Sequence, residues 1–283
     1  MKFLFYTLWH TTGIYLIFYS LYWLALTIAG RNGKKSKNQE QQGVTTASSI
    51  LVLVPAYKPN SRLLQALKAL EQMRKPVKTD VLVLLQEPSQ EIRDAVRQLP
   101  VLVEEKSFAD SKGNAYHAAL RYSAGLATRH GCSHLLLLDK DNIVQPDFLE
   151  TLWQQGKASA DVWQGRRMPV NHGGRWATYD ALSEALNDTL LRNAKKNLGL
   201  APELSGSGLL FRRQIFAEAV LALDNRAPGM DKNLMIQLLL RDRVIDYVPA
   251  AVLHEEKTGE LQQLRQQRTR WFGNQYFNAW YWG

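Results

Sequence analysis

The chain has 283 residues, 46% of them hydrophobic, and a formal net charge of +9. That length supplies one large core with a small added element, and the charge admits nucleic acid, an anionic membrane surface or an anionic small substrate as partner. No basic run interleaved with aromatics and no nucleic-acid motif stands in the globular part, so no nucleic-acid partner is expected. The single cysteine, Cys132, excludes an intrachain disulfide and a thiolate metal cluster, and reads as a small residue at the start of a strand.

Phe3 to Ala29 is almost wholly apolar, and Thr11 to Ala29 is long enough to span a bilayer as a helix. Only Lys2 precedes it, whereas Arg31, Lys34, Lys35 and Lys37 follow, which places everything after residue 30 on the cytoplasmic side. No small-x-small cleavage site precedes those charges. Residues 1–30 therefore read as an uncleaved anchor in the inner (plasma) membrane, and residues 31–48 as a basic, polar linker.

From residue 49 short apolar runs alternate with helical patterns. Ile50–Val54 reads as a strand ended by Pro55, Leu63–Met73 as a helix, and Val81–Leu85 as a second strand before Gln86-Glu87-Pro88. A helix around Glu91–Leu99 leads to a strand at Val101–Val103, and Asn114–His130 is rich in Ala and Leu at helical spacing. His134–Leu138 carries four consecutive leucines, the pattern of a strand buried on both faces. A helix over Pro146–Gln155, a strand at Val162–Gln164 and a longer helical stretch from Trp176 to Leu200 follow. From Pro202 to Val248 the chain supplies more site material than periodicity, with the apolar Leu209-Leu210-Phe211 and the apolar helix Asn233–Leu240 within it. Such alternation predicts an α/β fold with a mostly parallel sheet flanked by helices.

Asp139-Lys140-Asp141 stands directly behind the leucine strand. Ligands of parallel α/β sheets bind at the carboxyl ends of the strands. Two hard carboxylate oxygens there suit Mg²⁺ or Mn²⁺ carrying a diphosphate; the alternative is a solvated turn closed by Asn142 and Pro146. Lys112 opens a helix where it can reach an anion, beside Gly113, which allows close backbone approach; an ordinary helix start has the same residues. Ser205-Gly206-Ser207 leaves room for a flat ligand on the backbone, or is a turn before a strand. Asp231, at the mouth of an apolar helix, is placed either as an N-terminal helix acid or as a rigidly held general base. His254–Thr258 reads as a solvated loop without the partners of a zinc site. Gln267-Arg268-Thr269-Arg270-Trp271 opens a segment that turns aromatic through Phe272, Tyr276, Phe277, Trp280, Tyr281 and Trp282, as at a membrane interface.

Taken in order, Val54-Pro55-Ala56-Tyr57, Lys112-Gly113-Asn114-Ala115, Asp139-x-Asp141, Ser-Gly-Ser-Gly, Asp231 and Gln267-x-x-Arg270-Trp271 resemble the membrane-bound family 2 glycosyltransferases. The similar group is that of the cellulose, chitin, hyaluronan and poly-N-acetylglucosamine synthases, and the likeness spans about residues 49–275. It implies a GT-A (Rossmann-like) domain over residues 49–255, an N-terminal transmembrane helix, and a C-terminal interfacial helical segment over residues 256–283. It further implies an inverting, metal-dependent transfer from a UDP-sugar to a growing β-linked polysaccharide; single transfer to a lipid carrier and a silent nucleotide-sugar-binding subunit are the alternatives. By this resemblance Asp139 and Asp141 hold Mg²⁺ or Mn²⁺ and the diphosphate, and Pro55, Tyr57, Glu87 and Lys112 surround the nucleotide. Arg268 neutralises pyrophosphate and Asp231 is the base. Ser205, Gly206, Ser207, Gln267, Arg270 and Trp271 shape the acceptor end. Three departures stand out: Gln86-Glu87 where the family carries Asp-Asp or Asp-Gly, Met230 where it often has Glu, and no membrane helices between the Arg-Trp pair and Gly283. The last leads to the expectation of a shortened chain, a membrane partner subunit, or transfer without extrusion.

Overall fold

A computed structural model of the chain describes residues 2–31, 49–108, 114–170, 174–224 and 227–282. Arg31 of the expected linker belongs to the first helix; the rest of that linker falls outside these residues, as does Lys112 with Ser111 and Gly113.

The first half is a parallel wound unit. Strand β1 (Ser49–Tyr57) pairs in parallel with β2 (Lys78–Gln86), and β2 with β3 (Leu102–Glu105). On its other side β1 pairs in parallel with β4 (His134–Leu137). The crossovers carry three helices: α2 (Ser61–Gln72), α3 (Gln90–Arg97) and α4 (Ala115–His130). Each begins at a residue suited to it. The side chains of Asn60, Ser89 and Asn114 accept from first-turn N–H groups that have no partner within the helix. Gly131, in the left-handed conformation at φ 68°, ends α4.

The leucine run explains why β4 is central. Leu136 and Leu138 enter the apolar cluster on one side of the sheet, and Leu135 and Leu137 the cluster on the other. All four are at most 1% exposed, which stabilises the fold by about 2 kcal/mol per leucine. Cys132 is buried beside them, in agreement with a packing role.

Pro55 does not end β1; the strand runs on through Pro55, opposite Leu84, to Tyr57. Leu53 and Pro55 direct their backbone polar groups to the same side, towards β4. The carbonyl of Leu53 takes the last bond there, from Leu138 N–H at 3.0 Å. Where Pro55 stands β4 has left the ladder, so the missing N–H costs no bond.

The second half is mixed. It contains β5 (Ile143–Val144), α5 (Phe148–Gln155), β6 (Val162–Pro169) and α6 (Arg175–Leu186). A π-helical segment (Asn187–Asn193) and the short α7 (Ala194–Asn197) follow. Then come β7 (Leu209–Arg212), α8 (Arg213–Leu221), α9 (Met230–Leu239), β8 (Ile245–Glu255) and α10 (Leu261–Trp282). The eight strands form one sheet in the order β3-β2-β1-β4-β7-β6-β8-β5. β7 and β5 run against the other six, so the sheet is mostly parallel, as expected.

Two sequence expectations change here. The stretch Trp176–Leu200 is not one regular helix: the π-helical turns interrupt it, and their buried Asp188 and Arg192 face the sheet. His254 and Glu255 belong to a strand rather than a solvated loop, and Lys257 is 5% exposed. The polar composition there concealed a strand because its charges are neutralised by partners from other elements, described below.

Helix α1 (Lys2–Arg31) carries the apolar amino-terminal segment, and its stretch Trp9–Arg31 is long and apolar enough to cross a membrane. Among its described side chains only Leu26 is buried. Its last turn docks on the π-helical segment and α7. Asn197 Nδ2 donates to the carbonyl of Ala29 at 2.8 Å and Asn193 Nδ2 to that of Gly30 at 3.4 Å, so two asparagines satisfy terminal helix carbonyls. Gly30 is needed at this crossing: a Cβ there would lie 2.8 Å from the carbonyl oxygen of Thr189.

Candidate active site

Strands β1 and β2 end side by side, β4 ends sooner, and the residues that follow them are joined by hydrogen bonds. Lys58 N–H donates to Gln86 O at 2.9 Å, and Lys140 Nζ donates to the carbonyl of Tyr57 at 2.6 Å. Lys58 pairs with Glu87 at 3.5 Å, across the gap between β1 and β2. Tyr57 is exposed beside this pair, whereas Pro55 is buried within the strand beneath. Tyr57 and Glu87 thus rim the carboxyl edge with Asp139 and Asp141; Pro55 supports that rim from below and offers it no accessible surface.

The turn after β4 is held by its own asparagine and by a serine from far along the chain. Asp139 N–H donates to Asn142 Oδ1 at 3.0 Å and to Ser207 Oγ at 2.9 Å, and Ser207 Oγ in turn donates to Asn142 Oδ1. Asn142 is 1% and Ser207 0% exposed, so the backbone of the Asp-x-Asp turn is locked from beneath. Ser205 is fixed by Gln164, whose Oε1 accepts from Ser205 N at 2.6 Å and Oγ at 2.9 Å. Between the two serines Gly206 adopts φ 81°, a left-handed conformation that favours glycine. A Cβ on it would stand 3.6 Å from the Cβ of Asp231. The Ser205–Ser207 segment is therefore bonded to Asp139 and passes close to Asp231.

Asp231 stands in the first turn of α9, where the helix dipole favours a carboxylate. Its Oδ1 accepts from Lys232 N–H at 2.9 Å. The turn before it is gripped by α10: Asn278 Nδ2 donates to Pro228 O at 3.0 Å, and Asn274 packs so closely on Gly229 that a Cβ would meet its Nδ2 at 3.1 Å. Farther along, Tyr281 donates to Asp224 Oδ2 at 2.7 Å. At its other end α10 is tied to α6 by Arg268 and Asp180, 2.7 Å apart. The Gln267–Trp271 helix is thus braced to the turn that presents Asp231.

Within that motif the side chains divide. Arg268 is engaged by Asp180 and lies 4.5 Å over the Trp271 ring, so its charge is answered by a protein carboxylate, in contrast to the pyrophosphate role inferred for it. Arg270 is exposed, Trp271 half-buried, and the Oε1 atom of Gln267 is buried without a hydrogen-bond partner among the described residues.

The electrostatics of the edge are strongly negative. A little of Asp139 remains accessible, yet its carboxyl is surrounded by protein; burial, and then the charge of Asp141, push it up to about 7. Arg167 opposes that rise, while Glu255 and Asp231 add to it. Arg167 itself is bound to Glu184 at 3.2 Å and Glu255 at 3.1 Å. Glu184 also pairs with Arg192 at 2.7 Å, and Lys257 closes the cluster on Glu255.

A family model described as glycosyl transferase family group 2 matches residues 134–283, more than half of the chain. The chain belongs to that family. The matched part of this glycosyltransferase begins at β4 and contains Asp139, Asp141, Ser205–Ser207, Asp231 and Gln267–Trp271. Comparison with curated proteins finds no match. Among solved structures, the mannosyltransferase PcManGT from Pyrobaculum calidifontis, determined with GDP-Man and Mn²⁺, is similar. It shares 16% identity over 91% of this chain and 71% of its own, with a TM-score of 0.62. TarS from S. aureus with UDP-GlcNAc shares 14% identity over 75% of this chain, with a TM-score of 0.51. The glycosyltransferase spans 59% of that TarS chain. At such identities the likeness is one of fold, and the fold is the GT-A type.

Sequence reading placed Asn142 at the close of the Asp-x-Asp turn, but missed that Ser207 locks it with Asn142, and missed Arg167 and Glu255 as its charged neighbours. Asn142 was legible by position, being the residue after the second aspartate. Arg167 and Glu255 were not, since only the parallel pairing of β6 with β8 brings their ends together.

Proposed function

We propose that this glycosyltransferase moves a sugar from a nucleotide-sugar to a saccharide acceptor with inversion, at the cytoplasmic face of the plasma membrane. The observation that supports the reading is that the Ser205–Ser207 segment adjoins both the Asp139 turn, through Ser207, and Asp231, beside Gly206. Asp231, rigid at the mouth of α9, takes the proton of the acceptor hydroxyl as that oxygen attacks the anomeric carbon. The nucleoside diphosphate leaves from the opposite face towards Asp139 and Asp141, and an α-linked donor yields a β-linked product. No covalent enzyme intermediate is required.

A divalent cation fits the Asp139–Asp141 pair. Asp141 pushes the Asp139 carboxyl up, and among the described residues the hydrogen bonds at Asp139 go to its backbone, leaving its carboxylate oxygens for a cation. Among the described residues no group of three His, Cys, Asp or Glu is arranged to hold a metal. Two protein carboxylates with diphosphate oxygens and water completing the shell is the habit of Mg²⁺ and Mn²⁺. When bound, such an ion offsets the charge that develops on the leaving diphosphate. Tyr57 and the Lys58–Glu87 pair border the nucleotide, with UDP as the expected carrier.

Gln267, Arg270 and Trp271 shape the acceptor end, on a helix braced to the Asp231 turn. The motif's association with chain extension favours a growing β-linked polysaccharide as acceptor, as in the cellulose and chitin synthase group, with a lipid-linked acceptor as the rival. α1 is the membrane anchor. On α10 the exposed Phe272, Tyr276 and Trp280, each four residues apart, suit the headgroup layer. The test is nucleoside diphosphate release by the detergent-extracted protein with Mn²⁺ or Mg²⁺, across UDP- and GDP-sugars, with Asp231→Asn as control. Release with one donor that disappears in the variant supports the reading. Absence of release with every donor, while UDP still binds, points to the silent nucleotide-sugar-binding subunit.

A further inference from the structure

Ser207 is 0% exposed, so its hydroxyl meets no acceptor sugar; both of its bonds go to the Asp-x-Asp turn. The sheet register delivers it there. β4 and β7 pair antiparallel with Leu137 opposite Leu209, and Gly208 N–H donates to Leu137 O at 3.0 Å. Two residues beyond that pair Asp139 and Ser207 meet, so the contact is set by the end of a ladder. Asn142 closes the other side: its N–H donates to Asp139 O at 3.1 Å, and its Oδ1 accepts from Asp139 N–H and from Ser207 Oγ. The N–H and the carbonyl of Asp139 are thus both held, which fixes the direction in which its side chain leaves the backbone, and Asp141 lies within the turn so closed. Lys140, between the two aspartates, turns its ammonium to the carbonyls of Tyr57 and Lys58, at 2.6 and 3.3 Å. Two like charges held this close resist convergence, and a turn fixed in advance spares a cation the cost of gathering them.

We infer that Ser207 is a positioning residue for the donor: its hydroxyl, acting with Asn142, holds Asp139 and Asp141 in the arrangement that takes a divalent cation with the diphosphate, and so sets metal-dependent nucleotide affinity. This rests on the cation reading above. The resemblance put Ser207 at the acceptor end, whereas its hydroxyl serves the donor side. Ser205, 6% exposed, bonds to Gln164 and to the carbonyl of Ser207, and steadies the segment without reaching the turn.

The deciding variant is Ser207→Ala in the full, detergent-extracted chain. Calorimetry gives its affinity for UDP and GDP with and without Mn²⁺, the paramagnetic resonance of Mn²⁺ gives metal uptake beside the nucleotide, and a thermal scan gives the midpoint. The expected result is affinity about tenfold lower with Mn²⁺ and unchanged without it, weaker Mn²⁺ uptake, and a midpoint lower by only about 2–4 °C. Asn142→Ala cuts the same lock from the other side and should lose at least as much metal-dependent affinity, which keeps the test open if Ser207→Ala does not fold. In an Asp141→Ala background Ser207→Ala should change affinity no further, because the pair it positions is already broken. An equal loss with and without Mn²⁺, or a loss that persists in that background, would make Ser207 a packing residue and overturn the inference. If the parent binds nucleotide in a metal-dependent way and the variant matches it, the inference alone falls. If nucleotide affinity of the parent is indifferent to Mn²⁺ and Mg²⁺, the cation reading falls and takes the inference with it. Since binding is read, a parent that binds with metal and transfers no sugar would sink the transferase reading and leave this one standing.

Discussion

Glu184 and Asp139 are both carboxylates surrounded by protein, and both lie near Arg167, yet the fold treats them in opposite ways. Burial pushes Glu184 up, but Arg167, Arg192 and Lys257 overcome it and hold its carboxyl at about 2. Asp139 has only the residual field of an arginine already bound to two glutamates, and with Asp141 beside it rises to about 7. A saturated network serves to join β6, β8, α6 and the π-helical turns. An unsaturated pair is costly in the absence of a ligand and offers its oxygens to one. The difference separates scaffold from site more sharply than either conformation or burial does, because all of these residues are drawn from the same end of the sheet.

The largest test of that contrast is on the unsaturated side. Asp231→Asn is expected to lower transfer by about a thousandfold, the scale of losing a general base, while UDP affinity with Mn²⁺ stays within twofold or so. Turnover assays beside calorimetric binding check both halves; a parallel loss of binding would show that Asp231 holds the donor rather than activating the acceptor.

On the saturated side, Arg167→Met leaves Glu184 and Glu255 with too little positive charge, and is expected to cost about 3–5 kcal/mol of stability. Urea denaturation measures it. Adding Glu184→Gln to that variant recovers part of the loss if the network is a closed unit, and none if Arg167 acts by packing alone.

His134 sharpens the comparison through pH. It is 5% exposed in β4, its ring against Trp153 and Trp163, and burial, with Arg212 second, lowers it to about 4. The unfolded imidazole takes its proton near 6.5, so between pH 6.5 and 4 the unfolded chain binds a proton that the folded one refuses. Stability present above pH 6.5 is thus lost as pH falls towards 4, by about 3 kcal/mol. Glu184 adds its own loss only below its ordinary carboxylate range, as its partners' hold is titrated away. Asp139, raised to about 7, contributes with the opposite sign over the same window, so the effect is read as the difference between parent and His134→Phe in urea midpoints at pH 7 and pH 4.5, the parent losing more on acidification.

The smallest effect expected is at the brace of α10. Asp180→Ala frees Arg268 and removes the acceptor of Thr258 N–H, and should cost about 1 kcal/mol of stability. If α10 shapes the acceptor end, acceptor KM rises more than kcat falls; steady-state kinetics at varied acceptor decide it.

The local and periodic features of this protein were written in its order of residues. Four leucines in a row specify a strand buried on both faces. Asn60, Ser89 and Asn114 mark helix starts, and the length of the first apolar run specifies a helix long enough to cross a bilayer. Asp139, Asp141 and Asp231 stood out because each follows or opens such an element. Charge pairing was not legible. His254–Lys257 looked like a solvated loop since polarity alone reports composition, whereas burial depends on partners that arrive from β6 and α6. Pro55 looked like a strand end because its missing N–H matters only when a neighbour is there to receive it, and the early end of β4 removed that neighbour. The π-helical interruption and the lock of Ser207 on the Asp-x-Asp turn were likewise decided by contacts across more than fifty residues of chain. Periodicity acts over a few residues and is carried by the sequence itself; neutralisation and hydrogen-bond satisfaction act through space, and only the folded chain determines them.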